Sequence, residues 1–312
     1  MKIVNLDAIT LGDADFSELN NFGEYISYDL TRYEETLERC KGAEIVLTNK
    51  VVLDKAILSQ LEALKLICVT ATGTNIVDVE FASQRGIIVK NVAGYSTLSV
   101  AQHTITMVLE FLSQLHYYDT YCKSGQWSQS PTFTHLAGGR VSIDSKKWGI
   151  IGFGSIGQRV AQIATCLGAK VCYTSTSGKN QNTSYPQVSL ENLLKECDII
   201  SIHAPLNPAT KNLINAKSLA LLKPNAILIN VGRGGIVNEE DVTVALKNGA
   251  RFFYGCDVLE VEPMRKNHPF LDSSIQDRLL ITPHIAYAYG DSLKNLIALS
   301  IDNVKTFIKT GK

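Results

Sequence analysis

The stretch Trp148-Gly149-Ile150-Ile151-Gly152-Phe153-Gly154-Ser155-Ile156-Gly157 decides the fold of this chain. An apolar run stops at a glycine, two more glycines follow at G-x-G-x-x-G spacing, and an amphipathic segment carrying Ile156, Val160, Ile163, Ala164 and Leu167 comes next. Each glycine has a steric reason to lack a side chain. Gly152 permits a tight turn, Gly154 lets a pyrophosphate approach the backbone, and Gly157 lets helix and strand pack closely. The first helical turn, with Ser155 and Ile156, offers unpaired N–H groups and partial positive charge to phosphate. A glycine turn alone is weak evidence. The strand before it and the helix after it supply the context that dinucleotide binding requires.

Outward from that turn, short Ile- and Val-rich runs alternate with longer amphipathic stretches, the pattern of parallel strands covered by helices on both faces. Upstream the expected strands are KIVNL, EIVLT, LKLICVT and GIIVKN; from Trp148 onward they are WGIIGF, AKVCYT, DIISIH, AILINV, RFFYGCD and LLITPH. Thr31 to Cys40 reads as a helix, with Thr31 and Glu34 at capping-box spacing. Ser96 to Cys122 reads as one long helix with an apolar face, and Asp291 to Lys309 as a last one. Between the long helix and the glycine strand, SGQWSQSPTFTHLAGGRVSIDSKK is polar and is the candidate boundary to a second unit. At 312 residues the chain exceeds the roughly 250 to 300 at which one core stops growing, so two domains are expected. The fold class is α/β, with doubly wound parallel sheets of Rossmann type.

Lys plus Arg and Asp plus Glu each total 30, so nothing points to nucleic acid or an anionic membrane as partner. The opening MKIVNLDAIT lacks a secretory pattern, and no apolar run approaches the roughly 20 residues that span a bilayer. Seven scattered cysteines without a C-x-x-C pair fit a reducing, cytoplasmic setting. No His, Cys and carboxylate grouping has zinc-ligand spacing, so no metal is expected.

Eighteen positions past Gly157, at the end of AKVCYT, where an acid would bind the ribose 2′-hydroxyl, stands Ser175. Hydroxyls at Thr174, Thr176 and Ser177 and the ammonium of Lys179 surround it, and such groups donate to a 2′-phosphate. The cofactor is therefore NAD or NADP.

Three further runs each end in one charged or titratable residue: Arg233 in GRGG after AILINV, Glu262 after FFYGCDVLEV, and His284 after LLITP. Removing or supplying the proton of a 2-hydroxy acid as hydride moves needs a group that titrates near neutrality, and imidazole does. Pro283 restricts the backbone before His284. Glu262 is the expected carboxylate partner of the ring, and Arg233 sits where bare backbone lets a guanidinium reach a carboxylate and its neighbouring carbonyl. Asp257, ending RFFYGCD, is placed to orient the nicotinamide or Arg233. His103 and His116 lie on the long helix, His103 as an interdomain contact; His203 and Pro205 line the cofactor cleft; His135 and His268 sit in polar loops as solvated residues. Tyr95, Tyr287 and Tyr289 are candidates to shape the substrate pocket.

These residues lie in TGTNIVDVEFASQRGIIVKNVAGYSTLSVAQHT, GIIGFGSIGQRVA, DIISIHAPLNPATKNLIN, LLKPNAILINVGRGGIVNEEDV, GCDVLEVEP and LLITPHIAYA. In that order and over nearly the whole length they resemble the D-isomer-specific 2-hydroxyacid dehydrogenases, nearest the glycerate dehydrogenase or hydroxypyruvate reductase branch. The resemblance implies that Arg233 binds the substrate carboxylate and keto oxygen, that His284 is the acid/base, and that Glu262 supports it. It implies that backbone amides near Thr72 and Gly73 hold the substrate carboxylate. It also implies that Thr104, Ile156, Val231 and Asp257 approach the nicotinamide. A discontinuous substrate domain, 1–97 with 287–312, a cofactor domain, 98–286, closure between them, and a homodimer are implied as well. Three features depart from the family pattern: Ser175, Asn75 in place of a frequent Asp, and a long polar lead-in, GGRVSIDSKKW. Phosphoglycerate- and formate-type dehydrogenases share the motifs, the former often with a further regulatory domain. A nucleotide-sensing corepressor-like binding protein shares them too, but usually adds disordered tails.

Overall fold

The computed structural model describes residues 1–137, 139–178 and 182–312. The chain divides into two compact units, Met1–Ser96 with Tyr287–Lys312, and Thr97–Ala286. The polar passage 124–147 therefore lies inside the second unit and separates no domains.

In the first unit, β1 (Lys2–Asn5), β2 (Glu24–Ser27), β3 (Ile45–Thr48), β4 (Leu66–Val69) and β5 (Ile88–Asn91) form a wholly parallel sheet in the order β2-β1-β3-β4-β5. Successive residues of a strand face opposite sides. Val4, Val46 and Ile67 accordingly enter one apolar cluster, while Ile3, Ile45, Leu47 and Leu66 enter the other. The helix Gly290–Thr310 covers the second cluster with Leu296, Ile301, Val304 and Phe307. Strand β2 escapes sequence patterning because it is an edge strand with no fully buried residue. The helix expected from Thr31 starts later, at Tyr33–Cys40. Its N-terminal contact runs from the Arg32 N–H to the Glu35 carboxylate at 2.9 Å, because the Thr31 hydroxyl is spent on the Leu6 carbonyl.

The second unit begins with two helices, Thr97–Ser113 and Leu115–Lys123, where one was expected. Gln114 between them is left-handed, with φ 54° and ψ 40°. The break is satisfied on both sides: the Leu112 carbonyl accepts the Val141 N–H, and the Glu110 carboxylate accepts the His116 N–H at 3.1 Å. Backbone groups stranded by a helix end need such partners.

The sheet of this unit contains β6 (Lys147–Ile151), β7 (Lys170–Thr174), β8 (Ile199–Ile202), β9 (Ile227–Asn230), β10 (Phe253–Cys256) and β11 (Leu279–Ile281), all parallel, in the order β11-β10-β9-β8-β6-β7. A parallel bridge between Tyr173 and Gln187 adds a one-residue strand outside β7. Counted with it, the order from that edge is 3-2-1-4-5-6 with β11 beyond, the doubly wound arrangement whose direction of winding reverses between β6 and β8. That extra strand is too short to leave a periodic signal. Trp148, Ile150, Ile199, Ile227 and Ile229 face one core cluster and Ile151, Ile200, Ile202 and Leu228 the other.

Candidate active site

Register lines up the carboxyl ends of the second sheet. Ile281, Cys256, Asn230, Ile202, Ile151 and Thr174 form one row, each paired with the next. Ligands of open α/β sheets bind outside this edge. Within three residues of the row follow Gly152 and Gly154 from β6, Ser175 from β7, His203 and Pro205 from β8, Val231 and Arg233 from β9, Asp257 from β10 and His284 from β11. Glu262 stands farther along the loop from β10. Strands β9 and β11 are two steps apart, about 10 Å at the usual spacing, so side chains from both can converge on one small molecule.

The glycine turn has the shape a dinucleotide needs. Gly152 has φ +86°, and a Cβ there would lie 2.8 Å from the Ala204 nitrogen; its own N–H is pinned to the Thr174 carbonyl at 3.0 Å. A Cβ on Gly157 would lie 2.4 Å from the Gly152 carbonyl oxygen, so the helix Ser155–Cys166 stands as close to the turn as backbone allows. At Gly154, the N-cap, a Cβ would meet nothing within 4 Å. Open space over the first N–H groups of a helix is the place for a pyrophosphate. Ser155 is exposed in that first turn, and Ile156 packs its side chain on the core.

Around the turn, the His203 ring is held by Ser201, whose hydroxyl lies 3.0 Å from Nε2 and also accepts the Trp148 indole N–H at 2.9 Å. Burial pushes the His203 pKa down to about 3, so the ring stays neutral at working pH. Its Nδ1 is buried without a partner among the described residues. Pro205 is exposed and gives its carbonyl to the Thr210 hydroxyl. The Ser175 hydroxyl accepts the Gly178 N–H at 3.0 Å, which leaves its proton to donate. Lys179 lies outside the described residues. Thr104 is fully buried and donates to the Val100 carbonyl, and Val231 is buried in the apolar cluster that Val100 also enters.

His284 and Glu262 are brought together: Nδ1 of the ring lies 2.7 Å from Oε2 of the carboxylate. The other carboxylate oxygen accepts the Leu259 N–H at 2.9 Å. His284 has a left-handed backbone, φ 54°, with its N–H on the Thr282 carbonyl. A non-glycine residue in that region is uncommon and costs energy, so surrounding structure must hold it there. Asp257 does so. Its carboxylate accepts the Ile285 and Ala286 N–H groups at 2.8 Å each and the Thr282 hydroxyl at 2.6 Å, bracketing His284 on both sides. Buried His103, read as an interdomain contact, reaches the same hydroxyl at 3.0 Å inside the second unit. Desolvation pushes the His103 pKa down, against the pull of Asp257, so it acts as a neutral donor.

Arg233 is fixed through its backbone and through its guanidinium, whose Nη1 donates to the Gly232 carbonyl at 2.8 Å. The buried Asn230 side chain accepts the Gly232 N–H at 3.1 Å and donates to the Arg233 carbonyl at 3.0 Å, closing the turn after β9. Next to it, a Cβ on Gly234 would fall 1.9 Å from the Leu259 oxygen, so the Arg233 turn is pressed against the loop that carries Glu262. In the first unit, Thr72 and Gly73 occupy the loop after β4, where Asn91 donates to the Thr72 carbonyl at 2.6 Å.

Sequence patterning missed Asn230, Thr282 and the bracketing role of Asp257, because side-chain bonds to loop backbone have no period. His268, read from the sequence as solvated, is instead buried against Glu239. His135 stays partly exposed and stacks on Tyr121 at 3.9 Å between ring centroids.

Residues 105–286 match the family described as "D-isomer specific 2-hydroxyacid dehydrogenase, NAD binding domain". The chain is 36% identical to a hydroxypyruvate reductase of Blautia hydrogenotrophica, over 99% of this chain and 97% of that one. It is 37% identical to a glycerate dehydrogenase of Methylorubrum extorquens, over 98% and 96%. A D-lactate dehydrogenase from Aquifex aeolicus, solved with NAD and lactic acid, superposes with a TM-score of 0.84 at 26% identity, covering 99% of this chain and 96% of that one.

Proposed function

Because the chain belongs to the D-isomer-specific 2-hydroxyacid dehydrogenases, we propose that it reduces a small 2-keto acid of the hydroxypyruvate or glyoxylate type, and oxidises the matching D-2-hydroxy acid. The observation that carries this reading is the 2.7 Å contact between His284 and Glu262 at the sheet edge that also bears the glycine turn and Arg233. The enzyme is an oxidoreductase that uses NAD or NADP. A nicotinamide held there would supply or take up the hydride exchanged at C2 of the substrate.

The chain's own residues do the rest. Gly152, Gly154, Ser155 and Gly157 would hold the pyrophosphate, Ser175 the ribose side, and His203, Pro205, Thr104, Ile156 and Val231 would surround the remainder. The Arg233 guanidinium binds the substrate carboxylate and polarises the keto oxygen by paired charge-assisted hydrogen bonds. With Nδ1 turned to Glu262, His284 gives a proton from Nε2 to the carbonyl oxygen in reduction and takes it back in oxidation. Glu262 fixes the ring's orientation and balances the charge of its protonated form. Asp257 keeps the His284 loop in its left-handed shape.

We assign the exposed apolar side chains Leu115, Trp127, Phe133 and Leu136 of the second unit to a homodimer interface, since Phe133 alone is 90% exposed. Seven free thiols support a reducing, cytoplasmic setting. Among the described residues no helix is long and apolar enough to cross a membrane. A panel of hydroxypyruvate, glyoxylate, pyruvate and longer 2-keto acids, run with NADH and NADPH on a preparation whose mass is measured by light scattering, tests the reading. Highest kcat/KM on hydroxypyruvate or glyoxylate, from a particle of two chains, is expected. Cofactor binding without turnover of any member would favour a nucleotide sensor, and a strong NADH preference would remove Ser175 from 2′-phosphate binding.

A further inference from the structure

Glu262 sits on a loop, and what fixes that loop lies outside it. The Leu259 N–H is held by Glu262 itself, so this bond moves with the loop and anchors nothing. The Glu260 N–H donates at 2.6 Å to Oε1 of Glu239, the first residue of the helix Glu239–Lys247. Oε2 of Glu239 lies 2.8 Å from Nε2 of His268, and both side chains are nearly buried, 12% and 7% exposed. The His268 Nδ1 accepts the Phe270 N–H at 3.2 Å, so the ring proton resides on Nε2 and is donated to Glu239. The ring packs edge-on against Phe270, itself fully buried in the core of this unit.

We propose that Glu239, locked by His268, is the positioning residue for the proton-transfer pair: it anchors the Glu260 N–H and thereby sets where Glu262 meets His284. The inference rests on the roles given above to Glu262 and His284. Both carboxylate oxygens of Glu239 are committed, one to the loop and one to a ring whose tautomer the backbone dictates, so the anchor has a single orientation. Gly234 places the Arg233 turn against the same Leu259–Glu260 backbone, but Asn230 closes that turn without Glu239, so the anchor acts through Glu262. Misplacement of about 1 Å at a reacting group costs up to about 100-fold in rate.

The test is a double-mutant cycle in the full-length enzyme with Glu239→Ala, Glu262→Gln and the pair, alongside Glu239→Gln. Glu239→Ala is expected to lower kcat about 10- to 100-fold, with the dissociation constant of the reduced cofactor within threefold of wild type. Glu239→Gln keeps an oxygen for the Glu260 N–H but turns its amide N–H toward the His268 Nε2–H, so it is expected to recover only part of the loss. The double variant is expected to be no slower than Glu262→Gln alone, because one acts through the other. Independent, multiplying losses, or a Glu239→Ala enzyme within twofold of wild type, would overturn the proposal. Should Glu239→Ala not fold, His268→Ala is read in the same cycle against the same criteria. If Glu262→Gln itself keeps full kcat, the role of Glu262 is wrong; if it loses kcat while the Glu239 variants do not, only the anchor is.

Discussion

Replacing His284 by alanine is expected to lower kcat by two to four orders of magnitude, the usual worth of a positioned acid/base, while leaving cofactor affinity within a few-fold. The size follows from geometry. His284 is held in a left-handed backbone by Asp257 on either side and oriented through Nδ1 by Glu262, an arrangement that spends strain to place one nitrogen. Steady-state kinetics with the preferred keto acid, paired with a binding titration of the reduced cofactor, measures both quantities. A His284→Ala enzyme within tenfold of wild type in kcat would take the imidazole out of the chemistry.

Arg233→Ala is expected to raise KM and lower kcat together, for a loss in kcat/KM of about 100-fold or more. Hydrogen bonds to a charged partner contribute about 1.5 to 3 kcal/mol each, and a bidentate guanidinium makes two. Two such bonds outweigh any effect on the turn, because Asn230 closes that turn through the Arg233 backbone and remains in the variant. Arg233→Lys separates charge from shape: it keeps the cation and loses the fork, so it should recover only part of the loss. Full recovery by lysine would mean that the site reads charge alone, and a change confined to KM would mean that Arg233 does not touch the reacting carbonyl.

Much of this is legible in the sequence itself, and the reason is periodicity. The strands of the second sheet announce themselves as buried apolar runs, and Arg233, Glu262 and His284 stand out because each interrupts or ends such a run. Glycines at 152 and 157 were equally readable, since each fails sterically with a side chain. What stayed hidden has no repeat. Asp257 bracketing the 282–286 loop, Asn230 closing the Arg233 turn, His103 on Thr282 and Glu239 on Glu260 are bonds between a side chain and distant loop atoms. The break at Gln114 was hidden for the same reason. A glutamine has no special preference for a left-handed backbone, and the groups that satisfy the break, Val141 and Glu110, are supplied by the fold.

An Arg233 clamp and a Glu262-backed His284 together direct hydride to C2 of a small 2-keto acid. The decisive measurement is the product of a single turnover of the wild-type enzyme with hydroxypyruvate and reduced cofactor carrying two deuteriums at C4. Glycerate of D configuration carrying deuterium at C2 is predicted. Oxidised cofactor without deuterated glycerate, or glycerate of the L configuration, would contradict the account.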